Sequence, residues 1–183
     1  VLSNFVKDSN AKIIQIATDC VYSGSKGQYV ESSFHDALDV YGKTKSLGEG
    51  RFDNLLNIRC SIIGPELKNK LSLLEWFLAR KEGEEVNGFV NHYWNGITTL
   101  QFAQLCEKII SQNSFKELRK ESYLHHFAPN EMVSKYELLK IFNEVFKSNV
   151  VVNKGKAPVS VDRTLKTELT LMKKYFKTQV MAK

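Results

Sequence analysis

The run Ile13-Ile14-Gln15-Ile16-Ala17 is short, continuous and apolar but for one glutamine, and it closes on Thr18-Asp19. Such a run reads as a strand buried in an α/β sheet, which puts the Thr18 hydroxyl at the strand's carboxyl end. Ligands in open α/β sheets bind at that end. Downstream stands Tyr41-Gly42-Lys43-Thr44-Lys45. A tyrosine and a lysine four residues apart on a helix project from one face, one turn from each other. A nearby ammonium stabilises a phenolate, so this spacing predicts a Tyr41 pKa below the usual value of about 10. A phenol of that kind exchanges a proton near neutral pH.

The residues around these two features form a wider pattern. Ala17-Thr18-Asp19-Cys20-Val21-Tyr22-Ser23-Gly24, with Gly27, Tyr29 and Glu31, then Tyr41 to Lys45 and Gly48-Glu49, resembles the extended short-chain dehydrogenases/reductases. Within them the chain is most similar to the dTDP-4-dehydrorhamnose reductase group of sugar-nucleotide reductases. A tyrosine and a lysine four residues apart are common by chance. Thr-Asp at a strand end, Gly24-x-x-Gly27 and the Tyr/Lys pair are specific in combination. The resemblance covers nearly the whole chain, strongest over 13–64 and weaker after 115.

That resemblance implies reduction, with NADPH or NADH, of a 4-keto-6-deoxy sugar carried on a nucleoside diphosphate, in cytoplasmic surface-polysaccharide biosynthesis. Under it, Tyr41 delivers a proton to the developing alkoxide and Thr18 hydrogen-bonds the same oxygen. Lys45 holds the Tyr41 pKa down and contacts the nicotinamide ribose. Ser61 and Ile62 lie within Ile58-Arg59-Cys60-Ser61-Ile62-Ile63-Gly64-Pro65, which resembles the strand whose following loop touches the nicotinamide. Tyr41, Lys45, Ser61 and Ile62 are therefore the expected cofactor contacts. Asp19 falls beside the sugar. Trp94 and Asn95, in Asn91-His92-Tyr93-Trp94-Asn95-Gly96-Ile97-Thr98-Thr99, offer an aromatic face and an amide to a ring and its hydroxyls. Arg163, in Val161-Asp162-Arg163-Thr164-Leu165, has the bidentate fork that suits the substrate's phosphates. A homodimer is an assembly the resemblance allows.

Each of these residues has a plainer reading beside the functional one. Tyr41 can be a packed helix tyrosine with Lys45 on the surface, Asp19 can bond local backbone, and Arg59 and Arg163 can anchor ion pairs. The Trp94-Asn95 segment can be a packed loop before a helix cap. Ile62 and Ile63 stand where aromatics are common in the rhamnose-reductase pattern, which leaves the sugar open. Two alternatives follow: a reductase of another nucleotide sugar, such as a 2-acetamido-2,6-dideoxy hexulose, or a non-catalytic nucleotide-sugar-binding or regulatory member.

The family opens with a glycine-rich turn that cradles the dinucleotide pyrophosphate. Neither Gly-x-x-Gly-x-x-Gly nor Gly-x-Gly-x-x-Gly occurs in these 183 residues. Aligned by its motifs, the chain begins with Val1 just before the strand that ends in Thr18, so it is expected to be an inactive C-terminal fragment lacking roughly 100 residues. One truncated unit is expected over 1–183: a Rossmann part over 1–65 carrying the Thr/Tyr/Lys site, and a mostly substrate-binding part over 66–183.

Composition adds exclusions. With 43% hydrophobic and 25% charged residues the chain has a globular balance, long enough for one sizeable core. No apolar run approaches the ~20 residues of a membrane-spanning helix. Cys20, Cys60 and Cys106 are far apart and lack a Cys-x-x-Cys, so they read as reduced thiols and not as a disulfide frame or metal site. The net charge of +6 is spread along the chain, thickening at Lys166, Lys173, Lys174, Lys177 and Lys183, which reads as a solvated surface and not as a nucleic-acid site. His125 and His126, neighbours in a strand, are expected to point to opposite faces and to share no metal.

Pattern and punctuation place strands at 12–17, 56–63, 86–90, 123–127 and 149–153. Helices are expected from Asp36 or Asp39 to about Asn54, over 70–80, from Thr98 or Thr99 through Ile109, over 135–147 behind a Ser134/Glu137 capping box, and over 164–176. In the helix over 135–147, Leu138, Leu139, Phe142, Val145 and Phe146 are expected to face inward. Gly42, Gly48 and Gly50 within the first helix predict a close approach of another backbone or a ligand. The fold class is α/β, the rear of a Rossmann-like doubly wound parallel sheet interleaved with a small substrate-binding portion.

Overall fold

The computed structural model describes residues 10–178. Strand β1 (Ile13–Thr18) and helix α1 (Val40–Leu47) precede β2 (Leu55–Cys60), β3 (Ile62–Ile63) and helix α2 (Leu73–Leu78). Strands β4 (Glu85–Phe89), β5 (His92–Trp94) and β6 (Ile97–Thr98) lead into helices α3 (Thr99–Ser111) and α4 (Phe115–Glu121). Strands β7 (Leu124–His126) and β8 (Val133–Ser134), helix α5 (Lys135–Phe146), and strands β9 (Val151–Gly155) and β10 (Val161–Asp162) complete the order.

The sheet that positions the site is parallel, in the order β1-β2-β7. All six residues of β2 are buried, as a central parallel strand covered on both faces requires. The register sets Thr18 opposite Cys60 and Arg59 opposite His126, so Ser61 follows immediately beyond the carboxyl end of β2. Leu56, Ile58, Phe102, Leu105, Ile109 and Leu118 pack α3 and α4 on one side of this sheet. A second cluster gathers Leu74, Phe77, Val86, Leu138, Leu139 and Phe142 between α2, α5 and β4. The α/β class and the parallel pairing agree with the Rossmann-like expectation.

Caps explain where the helices start. Asp39 accepts from the Gly42 amide at 2.7 Å and begins α1, while Ser72 begins α2 by accepting from the Glu75 amide. Thr98 with Gln101, and Ser134 with Glu137, form reciprocal capping boxes at α3 and α5.

Several boundaries differ from the sequence reading. Helix α1 stops at Leu47, well short of Asn54, because Gly48 and Gly50 break the ladder. The strand expected to run to Ile63 is interrupted at Ser61, and Ile62-Ile63 pair instead with Ile97-Thr98. Val145 and Phe146, expected inward, are 64% and 47% exposed, because the last turn of α5 runs past the core. The helix expected over 164–176 is extended up to a 3-10 turn at Met172–Thr178. Helix α4 and the two- or three-residue strands β5, β6, β8 and β10 had no expected counterpart.

Candidate active site

Thr18 ends β1 and caps the 3-10 turn Asp19–Val21, its hydroxyl accepting from the Cys20 amide at 3.2 Å. The same hydroxyl donates to Asp19 Oδ1 at 3.2 Å. Helix α1 lies directly on this turn. Gly42 abuts the Cys20 carbonyl oxygen and the Ala37 methyl so closely that a Cβ would collide with both. Only glycine lets the helix approach this near, and the approach brings its neighbour Tyr41 beside Thr18, whose hydroxyl acts on the phenol. One turn further on, Lys45 Nζ stands 5.9 Å from the centre of the Tyr41 ring.

Electrostatics correct one expectation. The spacing predicted that Lys45 lowers the Tyr41 pKa; the structure gives the opposite direction. Partial desolvation of this 55% exposed residue raises it first, with the charges of Cys20, Asp19 and Asp39 adding to the rise and the Thr18 hydroxyl opposing it. The phenol therefore keeps its proton at neutral pH, the state a proton donor needs.

Asp19 is buried, and burial pushes its carboxyl up; the hydroxyls of Ser61 and Thr18 and the charge of Arg163 pull the other way. Ser61 Oγ in turn accepts from Trp94 Nε1 at 3.0 Å. Tyr41, Thr18, Asp19, Ser61 and Trp94 thus follow one another from α1 across the ends of β1 and β2 to β5, with hydrogen bonds from Thr18 to Asp19 and from Trp94 to Ser61. Arg163 joins it from the C-terminal segment, donating through Nε to the Tyr22 carbonyl at 2.9 Å, with its Nη1 4.0 Å from Cys20 Sγ. Beyond Trp94 opens an apolar cleft of about 360 Å³, lined also by Ile63, Pro65, Leu138 and Phe142.

The structure thus assembles Thr18, Asp19, Tyr41, Lys45, Ser61, Trp94 and Arg163 in one region. Ile62 follows Ser61 with its side chain 39% exposed. Asn95 is turned elsewhere: its amide donates to the Leu165 carbonyl at 2.8 Å and accepts from the Leu165 amide at 3.0 Å, clamping the C-terminal segment. Sequence reasoning overlooked Cys20, whose backbone and thiol both face the Tyr41 helix. It also overlooked the partners of the fully buried Arg59, which are Glu49, His35, Tyr22 and His126. The available signal was a lone arginine inside an apolar strand, which burial obliges to find partners. His125 and His126 do point apart, His125 to the Leu118 carbonyl and His126 to Arg59. Among the described residues no group of His, Cys, Asp or Glu is placed to hold a metal, and no helix is long and apolar enough to cross a membrane.

A family model described as RmlD substrate binding domain matches residues 1–179. No curated protein sequence matches the chain. Among solved structures, a dTDP-4-dehydrorhamnose reductase from Clostridium acetobutylicum is similar with a TM-score of 0.69 at 18% identity, over 93% of this chain and 61% of that one. The Bacillus anthracis dTDP-4-dehydrorhamnose reductase in complex with NADP gives a TM-score of 0.67 at 18% identity, over 95% and 61%. A dTDP-glucose 4,6-dehydratase from Streptomyces venezuelae, with NAD bound, gives 0.65 at 16% identity, over 90% and 54%. The chain therefore spans about three fifths of the length of the two reductases.

Proposed function

The chain belongs to the RmlD substrate binding domain family, and from that premise we propose that it carries the catalytic and sugar-binding parts of an NAD(P)H-dependent reductase of a 4-keto-6-deoxy nucleotide sugar. The observation that carries this reading is that Tyr41 is brought beside Thr18 at the carboxyl end of β1, with Lys45 one turn along the same helix. A ketone oxygen set between the two hydroxyls would meet a proton donor and a second hydrogen-bond donor together.

Tyr41 holds its proton on Oη until charge develops on the substrate oxygen, and then transfers it there. Thr18 has one proton, which it directs at Asp19 in this structure. When Asp19 carries the proton that burial favours, it donates to Thr18 Oγ1 and frees the Thr18 proton for the substrate oxygen. A donor aimed at developing negative charge is typically worth about 10²–10³-fold in rate. Once the phenol has given up its proton, Lys45 stabilises the phenolate, although it does not dominate the resting Tyr41.

The exposed Tyr41 ring, the Lys45 side chain and the exposed Ile62 suit the nicotinamide end of a cofactor, with Ser61 beside them. When bound, the reduced nicotinamide supplies the hydride. The pyrophosphate half has no counterpart in the sequence, because no glycine-rich dinucleotide turn occurs in the 183 residues. We therefore expect these residues alone to be inactive. Trp94 would present its ring to the sugar-nucleotide from the mouth of the apolar cleft, and Arg163 its guanidinium to the phosphates. For such a substrate we propose a cytoplasmic role in surface-polysaccharide biosynthesis.

A non-catalytic nucleotide-sugar-binding role is the rival, and assay decides between them. The complete translated gene product is incubated with NADPH or NADH and a dTDP-4-keto-6-deoxy sugar. Consumption of reduced nicotinamide matched by a deoxysugar alcohol supports the reductase. Binding of the nucleotide sugar with no turnover supports the rival.

A further inference from the structure

Arg59 is fully buried in the middle of the sheet, and each of its five N–H groups has an acceptor. Nε and Nη2 donate to the two carboxylate oxygens of Glu49, at 3.1 and 2.5 Å. Nη1 donates to the Tyr22 hydroxyl at 2.6 Å and to His126 Nε2 at 2.7 Å, and Nη2 also to His35 Nε2 at 2.8 Å. Tyr22, Glu49 and His35 adjoin the two segments that build the active site, while His126 stands on β7. Tyr22 ends the turn that begins at Thr18. Glu49 follows α1, and His35 grips α1 through Ser46 Oγ at 2.6 Å.

The hydrogen bonds also fix the imidazoles. An arginine N–H can donate only to a bare ring nitrogen, so His35 and His126 are both neutral and carry their proton on Nδ1. Those protons have acceptors of their own, Ser46 Oγ for His35 and the Lys166 carbonyl at 2.8 Å for His126. The Tyr22 hydroxyl accepts from Arg59 and passes its own proton to the Val30 carbonyl at 3.1 Å. The network is complete, and every member depends on the two rings remaining uncharged.

We propose that Arg59 is the positioning residue of this site: it holds the Tyr41–Lys45 helix through Glu49 and neutral His35 and the Thr18–Tyr22 turn through the Tyr22 hydroxyl, with neutral His126 fixing the guanidinium from β7, and protonation of those rings releases the helix. The inference rests on the reductase reading only for what that release does to turnover. The groups facing His126 are Arg59 from β2, Tyr22, Tyr29 and Glu31 from the loop after β1, and the carbonyl of Lys166. Those facing His35 are Arg59, Glu49, Asp36 and Tyr22. Burial and the Arg59 charge hold both rings below the ordinary histidine value of 6.5, His126 to about 4, while Glu31, Glu49 and Asp36 only partly compensate. A depressed folded-state value means that the hold is complete above the unfolded value and is lost as pH falls through the folded one. The window therefore runs from about 6.5 down to about 4.

The test uses nuclear magnetic resonance on the 183-residue chain. At pH 7, ring-nitrogen spectra should show His35 and His126 as neutral Nδ1–H tautomers; a charged ring or an Nε2–H tautomer at either position overturns the proposal. Amide hydrogen exchange over Lys43–Leu47 should rise at least about tenfold on moving from pH 7 to 5, after correction for the intrinsic rate, while β2 amides stay protected. In H35Q/H126Q, where an uncharged amide oxygen still accepts from Arg59, that rise should disappear. Arg59→Lys should loosen the same amides at pH 7 before the rest of the sheet. Uniform loosening of all elements, or a flat α1 profile in the wild type, contradicts it. Absence of reductase activity in the gene product alongside these exchange results would remove the functional reading and leave this one intact.

Discussion

Gly42 of α1 touches the carbonyl oxygen of Cys20 with no room for a Cβ between them. This contact sets how closely the Tyr41 helix lies on the strand end, and so whether Tyr41 can reach Thr18. Gly42→Ala should push the helix outward. Overpacking of a tight contact typically costs about 1–3 kcal/mol, and the helix propensity of alanine returns under about 1 kcal/mol. Denaturant unfolding should show the net loss. In a crystal structure of the variant Tyr41 should lie farther from Thr18 than in the wild type.

Asn95 should behave as a structural residue. Its amide makes two hydrogen bonds to the Leu165 backbone in a buried setting. Asn95→Ala leaves both backbone groups without that partner, so stability should fall by about 1–3 kcal/mol. The affinity of the folded variant for a nucleotide sugar should change less than that of Trp94→Ala, as calorimetry would show.

The Tyr41 phenol should ionise above its ordinary value of 10, because partial desolvation is the first of the influences on it. The ultraviolet difference titration between the wild type and Tyr41→Phe isolates this group. A midpoint near neutrality would restore the ammonium-controlled phenol that the sequence spacing implied.

How much of this was legible beforehand depended on the range of the forces involved. Strand β1 and helix α5 were readable, one from a continuous apolar run and the other from the Ser134/Glu137 box, because both signals are local. The segment over 164–176 looked helical by periodicity, yet its threonine hydroxyls bond elsewhere, Thr167 to Glu31 and Thr170 to Glu121. Those long-range bonds hold it extended. Strands of two or three residues, such as β3 and β6, are too short to show a period. Thr18, Tyr41 and Lys45 stood out by residue type and spacing, whereas the partners of Arg59 come from four separate segments that only the tertiary fold brings together.

The 183-residue chain should bind NADPH poorly. The backbone donors and helix N-terminus that hold a pyrophosphate come from a glycine-rich turn, and the sequence contains none. Isothermal titration should give no micromolar binding; such binding would place a phosphate site among residues assigned no such role.

The central claim is that Tyr41 supplies the proton, and substitution in the complete gene product tests it most directly. Tyr41→Phe keeps the ring and removes its only dissociable proton, so the fold should survive while turnover of a dTDP-4-keto-6-deoxy sugar falls by about 10²–10⁴-fold. Thr18→Val, which loses a hydrogen bond but keeps the donor, should cost less. Turnover by Tyr41→Phe within a few fold of the wild type would contradict the account.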